Sequence, residues 1–169
     1  MKLSEVRKLL DEREIQYILT AESSDGESYR KKGIPGVLYL LTIRNPHHGK
    51  GIEIKFADAS EDPELFDLDF GGYGYDLWGQ MEDELSRDLM DEIRNITSDR
   101  VWVILATDAK TNAVIRVDAY YDTEDWNSMN RFQKRLRAIK KPKSLWHKLI
   151  GRTLCYEVFS WSNYEKIIK

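Results

Sequence analysis

Apolar residues recur along this chain at two different spacings, and the switches between them mark out its elements. Leu77, Met81, Leu85, Leu89, Ile93 and Ile96 fall every three or four positions, with Glu82, Asp83, Glu84, Arg87, Asp88 and Asp91 between them. That spacing predicts an amphipathic helix of about five turns. Trp126, Met129, Phe132, Leu136 and Ile139 repeat the pattern and predict a second helix starting near Thr123. Val6, Leu9 and Leu10 suit a short first helix, with Ser4 as its N-cap and its end near Arg13.

Elsewhere the period is two, or the run is continuously apolar. Ile15–Leu19 reads as a first strand, and Val37–Ile43 as a strand buried on both faces. Asn45-Pro46-His47-His48-Gly49 carries turn chemistry, and Ile52, Ile54 and Phe56 then alternate with Glu53 and Lys55, completing a hairpin. Val101–Leu105 and the alternating Ile115, Val117, Ala119 and Tyr121 flank the turn 108–112 as a second hairpin. The stretch 153–161 suits a last strand or extended segment, followed by a short terminal helix. Strands joined mainly by hairpins, without strict alternation with helices, predict an α+β fold. The expected form is an antiparallel or mixed sheet of about five strands with helices packed mainly on one face. Residues 1–169 read as one domain, with no internal repeat.

Composition narrows the setting. The chain has 169 residues, 41% hydrophobic and 33% charged, so it can build a core. No run approaches the roughly 20 apolar residues of a membrane helix, and the charged N-terminal turns do not suit a secretory signal. A single cysteine, Cys155, lies among Leu154, Tyr156, Val158 and Phe159 and reads as a buried, reduced thiol. A cytoplasmic location is the expectation.

Charge is divided along the chain although the net value is only −3. Between Asp58 and Glu92 there are 13 acidic residues and one basic residue, Arg87. Between Arg131 and Arg152 there are nine basic residues and no acidic one. The ordinary explanation is two solvated surfaces whose ion pairs contribute little. The basic stretch could instead be a phosphate footprint using Arg131, Lys134, Arg135, Lys140 and Lys141, with Phe132 and Trp146 for stacking. The acidity of the whole chain opposes that. The acidic stretch could occupy the basic groove of a partner protein.

Phe70-Gly71-Gly72-Tyr73-Gly74-Tyr75-Asp76-Leu77-Trp78-Gly79 is the most distinctive segment. Its GGxG spacing, its lack of Lys or Arg, and neighbouring Asp67 and Asp69 argue against a phosphate cradle. Two readings remain. The glycines form a tight turn into the helix with Asp76 as its cap, or tyrosines on a glycine scaffold form a recognition surface. Tyr73 and Tyr75 also alternate as a short strand would.

Catalytic ingredients are scattered. His47 and His48 are adjacent and diverge if the backbone is extended, and His147 has no ligand-spaced neighbour. Nucleophile-elbow, zincin, P-loop and Cys-x-x-Cys motifs are absent from the sequence. Neither metal nor cofactor is expected. The sequence therefore suggests a non-enzymatic protein-interaction domain, an acidic inhibitor of the immunity type that binds a basic partner. In general look it is similar to the small acidic immunity proteins that neutralise bacterial toxins, a likeness of composition rather than of motif. Its expected contact residues are Asp67, Asp69, Tyr73, Tyr75, Asp76, Trp78 and Glu82. The alternatives are a nucleic-acid-associated protein using the basic segment 131–152, and a small-molecule enzyme without a local motif.

Overall fold

A computed structural model describes residues 1–22, 38–57, 64–76, 82–122, 126–141 and 153–169. The fold is α+β, and it divides into two compact units, Met1–Ile93 and Arg94–Lys169. Each unit carries its own antiparallel sheet, so two sheets replace the single sheet of about five strands that periodicity suggests.

The first unit opens with α1 (Leu3–Asp11), whose Leu3, Val6 and Leu10 are buried at helical spacing. Lys2, not Ser4, is the N-cap, and its amide donates to Glu5 Oε2 at 2.7 Å. Five strands follow in the order of the chain: β1 (Ile18–Glu22), β2 (Leu38–Ile43), β3 (Ile52–Ala57), β4 (Glu64–Phe70) and β5 (Tyr73–Asp76). β1 begins three residues later than its apolar run, because pairing with β2 fixes the strand. Gly51 seats the β2–β3 hairpin, since a Cβ there would lie 2.6 Å from the Ile43 carbonyl oxygen. The paired His47 and His48 sit in this turn rather than on an extended segment. Asn45 Oδ1 accepts from the His47 amide at 2.8 Å, and His48 Nδ1 accepts from the Lys50 amide at 3.2 Å.

One face of this sheet is the core. Leu41, Ile43, Ile52, Ile54, Phe56, Leu65, Leu68 and Phe70 are all buried. Leu65 and Leu68 are three residues apart, yet both face inward, because a bulge between Lys55 and Phe56 inserts an extra residue in β4. α1 is anchored to the same strand through the Leu65 amide, which donates to the Met1 carbonyl at 2.8 Å.

The long helix, α2 (Glu82–Thr97), buries Leu85, Leu89, Met90, Ile93 and Ile96, as its spacing requires. Its predicted first residues, 77–81, lie outside the described residues.

In the second unit β6 (Val101–Asp108) and β7 (Val114–Tyr121) form the expected hairpin. α3 (Trp126–Lys140), β8 (Leu154–Phe159) and β9 (Tyr164–Ile168) complete it. The sheet order is β7-β6-β8-β9. The expected terminal helix is β9 instead, because residues 164–168 pair along β8 from Phe159 to Cys155.

α3 lies on one face of this sheet. Phe132 and Ile139 join Ile104 and Val158 in a buried cluster, with Trp102, Tyr120, Met129, Leu136, Tyr156 and Ile167 packed against it. Phe132 stands 5.1 Å from Trp102 and 5.5 Å from Tyr120, centroid to centroid. At the other end Asp99, with φ of 60°, locks the β8–β9 turn. Its Oδ1 accepts from the Ser160 hydroxyl and the Ser162 amide, both at 2.7 Å. Cys155 is buried, as its apolar neighbours indicate.

Candidate functional site

Through Asp76, the acidic aromatic segment is a β-hairpin. Phe70 pairs with Tyr73 across Gly71 and Gly72, whose φ angles are 61° and 98°. Two consecutive positive φ angles in a two-residue connection are the requirement of a type I′ turn, and glycine meets it without steric cost. The Gly72 amide donates to Asp69 Oδ1 at 2.8 Å, closing the turn. Gly74 is a strand residue, and Asp76 ends β5 opposite Asp67.

Register then assembles a polar face on the back of the first sheet. Lys55 lies directly across from Asp67, and Glu53 directly across from Asp69. Lys55 Nζ is 3.4 Å from Asp67 Oδ2 and 3.9 Å from Asp69 Oδ2. All three side chains are largely covered, at 14%, 22% and 18% exposure, so the cluster is screened less than a surface pair. One lysine faces two carboxylates, with Glu53 adjoining, which leaves the face net negative. Gly74 lies opposite Asp69, and a Cβ there would make only ordinary contact with Asp67 Oδ1, at 3.4 Å.

Of the residues expected at a contact surface, Asp67 and Asp69 are thus brought together, whereas Tyr73, half-buried and directly opposite the core residue Phe70, falls on the other face of the sheet. Tyr75 pairs with Leu68 in the register, and Glu82 opens α2. Trp78 lies outside the described residues. Lys55 is the member that sequence reasoning missed. The alternation Asp67-Leu68-Asp69-Phe70 followed by Gly-Gly was the available signal, since it marks a strand and a two-residue hairpin that would set carboxylates beside β3.

The basic segment looks different once folded. Lys140 Nζ lies 2.7 Å from Glu165 Oε2, pinning the end of α3 to β9. Arg135 Nε lies 3.8 Å from Asp118 Oδ2, and both atoms are buried without a hydrogen bond. Asp118 also receives Arg116, whose Nε donates to Oδ1 at 2.7 Å and which is held in its charged form by that bond. Arg131, Lys134 and Lys141 are exposed, and Arg131 and Lys134 share a shallow groove of about 500 Å³ with Asn127 and Asn130. Phe132 is 2% exposed, so it is a core residue and offers no stacking surface. Trp146 lies outside the described residues.

The chain matches no family model, no curated protein and no solved structure.

A second recess, of about 380 Å³, opens between α3 and the sheet beneath it. Trp102, Met129, Phe132, Leu136 and Val158 line it, with Glu165 at the rim. Glu165 is held by Lys140, and the neighbouring Tyr164 hydroxyl donates to Glu157 at 3.0 Å. The recess is a packing groove with a polar margin, and no acid–base pair converges on it among the described residues. No group of three or more metal-ligating side chains occurs among the described residues either. No described helix is long and apolar enough to cross a membrane.

Proposed function

We propose that this protein is a non-enzymatic interaction domain that binds a basic protein partner through the acidic back of its first sheet. The observation that carries this reading is the Lys55–Asp67–Asp69 cluster. Two carboxylates share one lysine on a strand-built surface, with Glu53 across from Asp69. Carboxylates on strands lose little entropy on binding, and a net negative field speeds encounter with a cationic partner.

What favours this over the nucleic-acid reading is the use of the basic residues. Arg135 and Lys140, two of the five cations that reading needs, are occupied by Asp118 and Glu165 within their own unit. Phe132 is committed to the core. An inhibitor or immunity-type role, in a cytoplasmic setting, is the form of interaction that suits a dense acidic surface.

The test is capture from nuclease-treated lysate by the wild-type chain and by a D67N/D69N variant. These substitutions keep the size of both side chains and remove their charge. The proposal expects a basic protein that the wild type retains at low salt and the variant does not. Equal retention by both overturns it.

A further inference from the structure

We infer that two copies of this chain associate edge to edge through β7, antiparallel about Val117, so that Arg116 of each copy faces Asp118 of the other. Among the described residues no strand lies beyond β7, which ends the order β7-β6-β8-β9. The direction of its backbone groups follows from one bond. The Asp122 amide donates to the Arg100 carbonyl at 2.6 Å, so Asp122 turns its backbone toward the β6 side. Antiparallel strands alternate, so Tyr120, Asp118 and Arg116 do likewise, while Tyr121, Ala119 and Val117 turn outward. An independent contact agrees with this. The Tyr121 amide donates to the Ser128 hydroxyl at 3.0 Å, on the side away from β6.

Ser128 closes the edge at Tyr121, and the bulge opposite Ala106 and Thr107 places Ile115 as the extra residue at the other end. The open stretch is therefore 115–119, and its centre is Val117. Val114 and Ile115 at its head are 62% and 49% exposed, an apolar edge of the sort that recruits another strand.

Charge selects the register. A two-fold axis perpendicular to the sheet must pass a residue opposite its own copy. Centring on Arg116 sets Arg116 against Arg116, and centring on Asp118 sets Asp118 against Asp118. Centring on Val117 sets each Arg116 against an Asp118, on the face where these two already pair within one copy at 2.6 Å. That centre also makes Val117 an outward-facing, mutually hydrogen-bonded pair. Geometry and charge choose the same residue. This strand belongs to the second unit, whereas the residues of the acidic face belong to the first.

Sedimentation of the full chain across a concentration series tests the association, and cross-linking tests its register. The wild type is expected to move from monomer to dimer as concentration rises. Val117→Pro removes an outward amide that β6 does not use, and Arg116→Glu sets like charges together, so each is expected to return the chain to monomer with an unchanged circular dichroism spectrum. In a Cys155→Ser background, Val117→Cys is expected to form a disulfide dimer on mild oxidation. Ala119→Cys is not, because the two 119 positions stand about 13 Å apart along the strands. A wild type that stays monomeric, a dimer that survives both Val117→Pro and Arg116→Glu, or cross-linking at 119 as readily as at 117 overturns the inference.

Discussion

Lys140 and Glu165, 25 positions apart in sequence, meet at 2.7 Å and fasten the end of α3 to the last strand. With Arg135 on Asp118, they convert part of a basic run into internal fastening. Both partners of the Lys140 pair are 48% exposed, so Lys140→Gln should cost no more than about 1 kcal/mol. Arg135→Gln should cost more, because it leaves the buried Asp118 Oδ2 without its cation. Neutralising both should leave retention on a heparin column where the wild type places it. A clear loss of retention would return these residues to the nucleic-acid reading.

The hairpin at Gly71-Gly72 makes a second prediction. Gly71, at φ 61°, lies in the left-handed region that asparagine tolerates, so Gly71→Asn should be nearly neutral. Gly72, at φ 98°, lies further from any L-residue minimum, and Gly72→Val should cost about 1–3 kcal/mol. Urea denaturation of the two variants checks the contrast. Equal stability would mean that the segment does not form a type I′ turn.

These two sites also show how much of the fold the sequence made legible. α2 and α3 were readable because the apolar positions 85, 89, 93, 96 and 129, 132, 136, 139 are set by a local period, and local periods survive folding. The hairpins β2–β3 and β6–β7 were readable for the same reason. β4 and β5 were obscured because a run of carboxylates and glycines resembles a loop, and only pairing with β3 shows that Asp67 and Asp69 share one face. β9 reads as a helix in sequence because five residues carry too little pattern to distinguish the two, and pairing with β8 decides between them. Lys55 was invisible as a site residue, since its partners stand 12 and 14 positions away on another strand. Periodicity reports what one element buries, while the candidate site depends on which strand lies next to which.

Tyr164 gives a pH prediction. Burial, followed by the hydrogen bond to Glu157 and its charge, pushes this phenol up to about 12 from its ordinary value near 10. The folded state favours the neutral form. Its contribution to stability is therefore complete below pH 10 and is lost as pH rises from about 10 to about 12. Spectrophotometric titration should show a late tyrosine phase that Tyr164→Phe removes. A late phase unchanged by that substitution would contradict the assignment.

The central claim concerns the acidic face of the first sheet, and salt dependence probes it most directly. The partner captured by the wild type should be titrated against the wild type and D67N/D69N at several salt concentrations. The account predicts that wild-type affinity falls steeply as salt rises, and that the variant binds weakly with a much flatter dependence. The same affinity and the same salt slope for both proteins would contradict it.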